Sequence, residues 1–150
     1  MHAEFFQIHK ENYHRAYAIH RRGQLNPWSE KVFVDCIESP YFAYKLDQNN
    51  ITIAYYICLR VLDEATLMDI GVHSEHQSEG WGSNILEHFL QQCEKQEVAT
   101  IWLEVRQSNH RAIHLYENAG FILVEQRKNY YISGSGREDA LVMKYTHPTS

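Results

Sequence analysis

Residues 65–96 constrain the fold more than any other stretch. Ala65-Thr66-Leu67-Met68-Asp69-Ile70-Gly71-Val72 is an apolar run of strand length. A polar loop, Gln77-Ser78-Glu79-Gly80-Trp81-Gly82, follows it. From Ser83 to Gln96, Ile85, Leu86, Phe89, Leu90 and Cys93 recur at helical spacing. The order is therefore strand, glycine loop, helix N-terminus. Gly80 and Gly82 are free to take positive φ and let backbone N–H groups approach an anion. The first N–H groups of a helix lack intrahelical partners and lie at the positive end of its dipole, so this is the local architecture of a phosphate site. A tight turn before a helix satisfies the same spacing. The loop is neither a Gly-x-x-x-x-Gly-Lys-Ser/Thr loop nor a three-glycine dinucleotide fingerprint.

On either side of this unit the chain alternates between short strand and helix patterns. Phe5–His9 reads as a strand. Asn12–Arg22 reads as a helix with Asn12 as N-cap, stopped by Gly23. Asn26-Pro27-Trp28 is a loop, and Ser29-Glu30 opens a second helix ending before Pro40. Tyr41–Leu46 and Ile51–Val61 alternate like antiparallel strands around the turn Gln48-Asn49-Asn50, and Asp63-Glu64 marks a second turn. Ala99–Val105 is β-rich. Because a helix separates it from the strand before the glycine loop, those two strands should pair in parallel. Asn109 caps a helix from His110 to Ala119, with Gly120 at its C-terminal end. Phe121–Arg127 and Ala140–Tyr145 read as closing strands around a mobile loop, Ser133-Gly134-Ser135-Gly136, and residues 146–150 as a loose tail. The whole, 1–150, reads as one domain.

Composition narrows the function. A net charge of −5 opposes non-specific nucleic-acid binding, which needs a basic face, and suits a basic peptide partner. No apolar run approaches the roughly 18 residues of a membrane span. The start, Met1-His2-Ala3-Glu4-Phe5, has no signal-peptide pattern. Cys36, Cys58 and Cys93 are scattered in apolar patterns, as expected for free buried thiols in a reducing cytoplasm. The ten histidines form no metal motif: His110 and His114, and His73 and His76, lack a third ligand, so no metal is expected.

Gln77-x-x-Gly80-x-Gly82 and Asn109-x-x-Ala112-x-x-Leu115-Tyr116-x-x-x-Gly120-Phe121 together resemble the pyrophosphate loop and the late motif of the Gcn5-related N-acetyltransferase (GNAT) family. The resemblance covers nearly the whole chain in element order. It implies a single-domain α/β fold with a mixed, mostly antiparallel seven-stranded sheet, a central parallel pair, and helices on both faces. It also implies acetyl-CoA as co-substrate, held by Ile70, Gly71, Val72, Gln77, Ser78, Glu79, Gly80, Trp81, Gly82, Ser83 and Asn109. Asn26-Pro27-Trp28-Ser29, Leu62–Leu67, Trp102–Arg106 and Arg127–Tyr131 are similar to the branch of the family that acetylates the N-terminal alanine of a small-subunit ribosomal protein. That similarity implies a ribosomal-protein N-terminus as partner, with Trp28, Tyr130 and Tyr131 as substrate-binding aromatics able to stack on arginine. Two features depart from the family pattern: Glu79 beside a loop meant for phosphates, and bulky Trp81 between the glycines.

Glu104 falls near the C-terminal end of a strand, where open α/β sheets place ligands. It is the candidate general base, although a plain ion pair with Arg106 or Arg111 fits the sequence equally well. Tyr116, seven residues after Asn109 and so on the same helix face, is the candidate general acid for a leaving thiolate, although its apolar neighbours also suit a core tyrosine. Direct transfer follows: the amine attacks the thioester, Glu104 takes its proton, a backbone N–H at Gly71 or Val72 holds the oxyanion, and Tyr116 protonates the thiolate. A lysine or small-amine acceptor, or a CoA-binding module without turnover, stays open on these residues.

Overall fold

The computed structural model describes residues 3–134 and 136–148. In chain order it contains β1 (Ala3–Gln7), α1 (His14–Gly23), α2 (Glu30–Asp35), β2 (Tyr41–Gln48), β3 (Ile51–Val61), β4 (Glu64–Val72), α3 (Trp81–Lys95), β5 (Thr100–Arg106), α4 (His110–Ala119), β6 (Ile122–Ser133) and β7 (Gly136–Thr146). The strands form one mixed sheet in the order β1-β2-β3-β4-β5-β7-β6, in which β4 and β5 are the parallel pair.

Two cores sandwich this sheet. On one face, Ile85, Leu86, Phe89 and Cys93 of α3 and Tyr116 of α4 meet Tyr56, Leu67, Ile101, Leu103 and Met143. On the other, Ala16 and Ile19 of α1 and Phe33 near the end of α2 meet Ala43, Tyr55 and Ile57. The strand β3 feeds both. Its residues 52–58 are all buried, so the half-exposed alternation expected there gives way to the two-sided burial of a central strand.

The feature that positions the site is a split in the middle of the sheet. β4 and β5 pair only from Glu64↔Thr100 to Leu67↔Leu103. Beyond that the two strands part: Asp69–Val72 stay with β3, and Glu104–Arg106 stay with β7. Met68 is the extra residue of a bulge, since Ile57 pairs with Asp69 and Cys58 with Leu67. Such a bulge bends the strand and re-aims its end.

Several local expectations are corrected. Asn12 does not cap α1. Its Oδ1 accepts from the His9 N–H at 2.8 Å and its Nδ2 donates to the Gln7 carbonyl, so it braces the β1–α1 loop. The helix α3 begins at Trp81, two residues earlier than its apolar face suggests, because Gly80 at φ 88° is the N-cap. Gly80 alone of the two loop glycines is left-handed; Gly82 is helical and lets α4 approach, with Leu115 3.5 Å from where its Cβ would stand. Residues 133–136, expected as a mobile loop, close a hairpin in which Ser133 pairs with Gly136; Ser135 lies outside the described residues. The expected tail is anchored at its start. Thr146 pairs with Thr100, and the His147 N–H donates to the Ala99 carbonyl at 3.1 Å; residues 149–150 lie outside the described residues.

Candidate active site

The split between β4 and β5 opens into a cleft of about 970 Å³. One wall is the end of β4, with Ile70, Gly71 and Val72. Another is the glycine loop and first turn of α3, with Gln77, Ser78, Gly80, Trp81, Gly82 and Ser83. The third is α4, which presents Asn109, Ala112, Leu115 and Tyr116. Ten of the eleven residues expected to hold the co-substrate therefore line one cavity.

Glu79 is the exception. Its Oε1 accepts from Trp81 Nε1 at 2.9 Å and lies 3.0 Å from His76 Nδ1, which holds the carboxyl below its usual range, His76 first and the indole second. The two departures noted in the sequence explain each other. The bulky Trp81 packs against the main core and ties back the carboxylate beside the anion loop.

The loop is built to receive negative charge. No side chain caps the first turn of α3, whose residues Trp81, Gly82 and Ser83 line the cleft, and the first N–H groups of a helix have no intrahelical partner. Gln77 donates to the Val72 carbonyl at 3.3 Å and stitches the loop to β4. Arg111, in the first turn of α4, reaches across to Gln77 Oε1 at 3.4 Å and Ser78 Oγ at 3.2 Å. Its guanidinium has only neutral acceptors there, and among the described residues it makes no ion pair. The expected pairing of Glu104 with Arg106 or Arg111 is thus corrected: Arg111 serves the loop, and Arg106 pairs with Glu138 at 3.0 Å. Arg22, Arg106, Arg111, His76 and His114 line the cleft against the single carboxylate of Glu138, so its charge is basic although the chain's is not. This lining, the uncapped helix and the parted strands fit a long anionic ligand with a narrow apolar-flanked arm. Sequence reasoning missed Arg111 as an anion contact. Its signal was an arginine two residues after the cap of a helix that faces the glycine loop.

Glu104 projects from the exposed side of β5. Its Oε2 is 2.9 Å from Arg127 of β6, and its Oε1 accepts from the Tyr130 hydroxyl at 3.3 Å. It stands at the margin of the cleft and does not line it. Tyr116 lines the cleft from beneath, 5% exposed, its phenol raised well above its usual pKa by burial and then by the charge of Asp69. Tyr116 is thus a core residue that also lines the cleft. Asn109 likewise caps α4, accepting from Ala112 N–H at 3.2 Å, and lines the cleft.

The three substrate-side aromatics stand outside the cleft lining. Trp28 is held by its backbone N–H, which donates to His20 Nε2 at 2.8 Å. The faces of Tyr130 and Tyr131 are taken by the chain's own Arg127 and Arg106, at 5.5 and 4.4 Å from the ring centres. An incoming arginine would have to displace these.

The sheet splits at its parallel β4–β5 pair, with a glycine loop and a helix N-terminus at the split, and this architecture sets the chain among the acetyltransferases. The chain belongs to the acetyltransferase (GNAT) family, whose profile matches residues 3–121. It is 47% identical over 128 residues to the [ribosomal protein bS18]-alanine N-acetyltransferase of Escherichia coli K12, covering 85% of this chain and 86% of that one. It is 42% identical over 138 residues to the protein of the same name from Haemophilus influenzae, covering 91% and 94%. The crystal structure of the ribosomal-protein-S18-alanine N-acetyltransferase from E. coli superposes with a TM-score of 0.94 at 40% identity, over 99% of this chain and 96% of that one. This chain is an N-acetyltransferase with the single-domain GNAT fold.

Proposed function

We propose that the protein transfers the acetyl group of acetyl-CoA to the N-terminal α-amine of a ribosomal protein of the bS18 type, with alanine as the first residue. The observation that carries this reading is identity of 42–47%, over nearly the full length, with relatives bearing that name. The cleft supports it: its basic lining and the uncapped α3 suit the diphosphate, and the gap between β4 and β5 suits the pantetheine arm and delivers the thioester to Gly71 and Val72.

In the proposed transfer the neutral amine attacks the thioester carbonyl. Backbone N–H at Gly71 or Val72 stabilises the oxyanion, which is the largest contribution such sites make. Glu104, oriented by Arg127, takes the amine proton directly or through water. Tyr116 gives its proton to the departing thiolate. Burial keeps that phenol protonated across the working pH range, which suits a donor. An α-amine with pKa near 8 is about one-tenth neutral at pH 7, whereas a lysine amine near 10.4 is neutral only about once in several thousand. A weak base therefore suffices for an N-terminus. The chain's net charge of −5 supports a basic peptide following the alanine.

Incubation with acetyl-CoA and a peptide beginning with alanine and carrying arginines tests the reading. Mass spectrometry should find one acetyl group, and none when the N-terminus is blocked. Equal labelling of the blocked peptide would replace this acceptor with a general amine.

A further inference from the structure

One buried cluster beside the acceptor end of the cleft is not used by the mechanism above. Asp69 on β4 is 6% exposed and accepts hydrogen bonds from His20 Nδ1 at 2.6 Å, from Gln24 Nε2 at 2.9 Å and from the Tyr55 hydroxyl. The protonation of His20 is fixed by its other nitrogen. The Trp28 backbone N–H donates to Nε2 at 2.8 Å, so Nε2 carries no proton, and the single proton of a neutral ring sits on Nδ1, facing Asp69. The three donors to Asp69 are thus all neutral. Among the described residues no lysine or arginine lies within 4.0 Å of the carboxylate. A carboxylate at Asp69 is therefore met by three neutral donors and no lysine or arginine, a buried site that an added cation would stabilise.

The cluster reaches the cleft at one point. Tyr55 lines the cavity, and its ring lies so close to Gly71 that an added Cβ would stand 2.6 Å from Tyr55 Cε1. Gln24 lines the same wall. The Tyr55 hydroxyl spends its only proton on Asp69 and, with His20 Nδ1 3.4 Å away, keeps one lone pair to accept another donor. The charge of Asp69 is felt as far as Tyr116, across the same cavity.

We infer that Asp69, acting through Tyr55, is the specificity determinant that recognises the positively charged α-ammonium of the acceptor and seats it beside Gly71. This rests on the N-terminal-acceptor reading and names the residues that read the amine. The missing counter-cation is then the substrate itself. A seated ammonium is not yet a nucleophile. Its proton still leaves on the Glu104 side before attack, so Asp69 and Tyr55 bind and Glu104 deprotonates. Tyr55 touches the acceptor; Asp69 is a positioning residue acting through it.

The test compares two peptides of one sequence, one with a free α-amine and one whose first residue is the desamino analogue, carrying no nitrogen. Binding of each is measured by calorimetry in the presence of CoA, for the native chain, Asp69→Asn and Tyr55→Phe, with acetyl-CoA affinity and melting temperature as controls. The native chain should prefer the ammonium peptide by roughly 10- to 100-fold, the range of a hydrogen bond to a charged group. Asp69→Asn should erase the preference by weakening only the ammonium peptide, leaving the desamino peptide and acetyl-CoA as tightly bound as before. Tyr55→Phe, which leaves the His20–Asp69–Gln24 contacts in place, should erase much of it and serves if Asp69→Asn does not fold. Equal weakening of both peptides in Tyr55→Phe would mean that the cluster is scaffolding, and an unchanged preference would mean that the ammonium is read elsewhere; either overturns the inference. Failure of the native chain to bind either peptide would instead overturn the acceptor reading on which it stands.

Discussion

Glu104 and Tyr116 illustrate how a side chain's surroundings assign its chemistry. Glu104 is half-open to solvent, with Arg127 and Tyr130 fixing its oxygens, so it can exchange protons with water at the cleft margin. Tyr116 is enclosed and stays protonated. Glu104→Gln should therefore lower kcat by roughly 10²–10⁴-fold while the KM for acetyl-CoA is unchanged. Tyr116→Phe should lower turnover with similar selectivity, read by the same steady-state kinetics. Arg111 belongs to a different step. Arg111→Ala removes a guanidinium that faces only neutral acceptors at the loop, so calorimetry should show roughly tenfold weaker CoA binding with kcat at saturation retained. Loss of kcat without loss of affinity would move Arg111 out of the anion site.

Among the elements, α3 carries the loop and is packed to do so. Gly82 faces Leu115 at ordinary contact distance, so Gly82→Asp should fold normally yet place a negative charge at the proposed diphosphate site, and CoA affinity should collapse. The opposite end of the reasoning is Gly71, where a methyl would meet the Tyr55 ring at 2.6 Å and Ile19 at 3.2 Å. Gly71→Ala should cost about 1–3 kcal/mol in denaturant unfolding as the rings shift. His88 on the same helix gives a pH signature. Its ring stacks on Phe5 at 3.8 Å and lies 3.0 Å from the Tyr56 hydroxyl. Burial, with Lys95 adding to it, lowers its pKa to about 4. The unfolded ring binds a proton below about 6.5, so the folded state loses stability as pH falls from 6.5 to 4. With the ring partly open to solvent the loss should be about 1–2 kcal/mol, visible as a falling melting temperature that His88→Phe flattens.

For the whole molecule, the sequence carried the order of elements because strand and helix periods and the two caps at Ser29 and Asn109 are local signals; these two cap as expected, whereas Asn12 does not. It carried the glycine loop, and ten of the eleven residues expected at the co-substrate line one cleft, for the same reason. It did not carry relations between distant residues. The pairing of Glu104 with Arg127 depends on β6 running beyond its expected end, and β6 and β7 ran longer than their apolar cores because hairpin pairing, not burial, extends them. Asp69 looked like one polar residue in an apolar strand; only the fold brings His20, Gln24 and Tyr55 to it across 14 to 49 positions. The aromatics at Trp28, Tyr130 and Tyr131 were placed near the acceptor side by resemblance, and their partners proved to be the chain's own His20, Arg127 and Arg106.

Whether this cleft acetylates an α-amine in preference to a side-chain amine is decided by a single peptide. The peptide begins with alanine, continues with arginines and carries a single lysine, so both amines compete in one molecule at pH 7. After partial reaction with acetyl-CoA, fragmentation mass spectrometry locates the acetyl group. Acetate is expected on the α-amine, with catalytic efficiency falling as salt rises, because a chain of net charge −5 draws a basic peptide. Acetate predominantly on the lysine would contradict the α-amine reading.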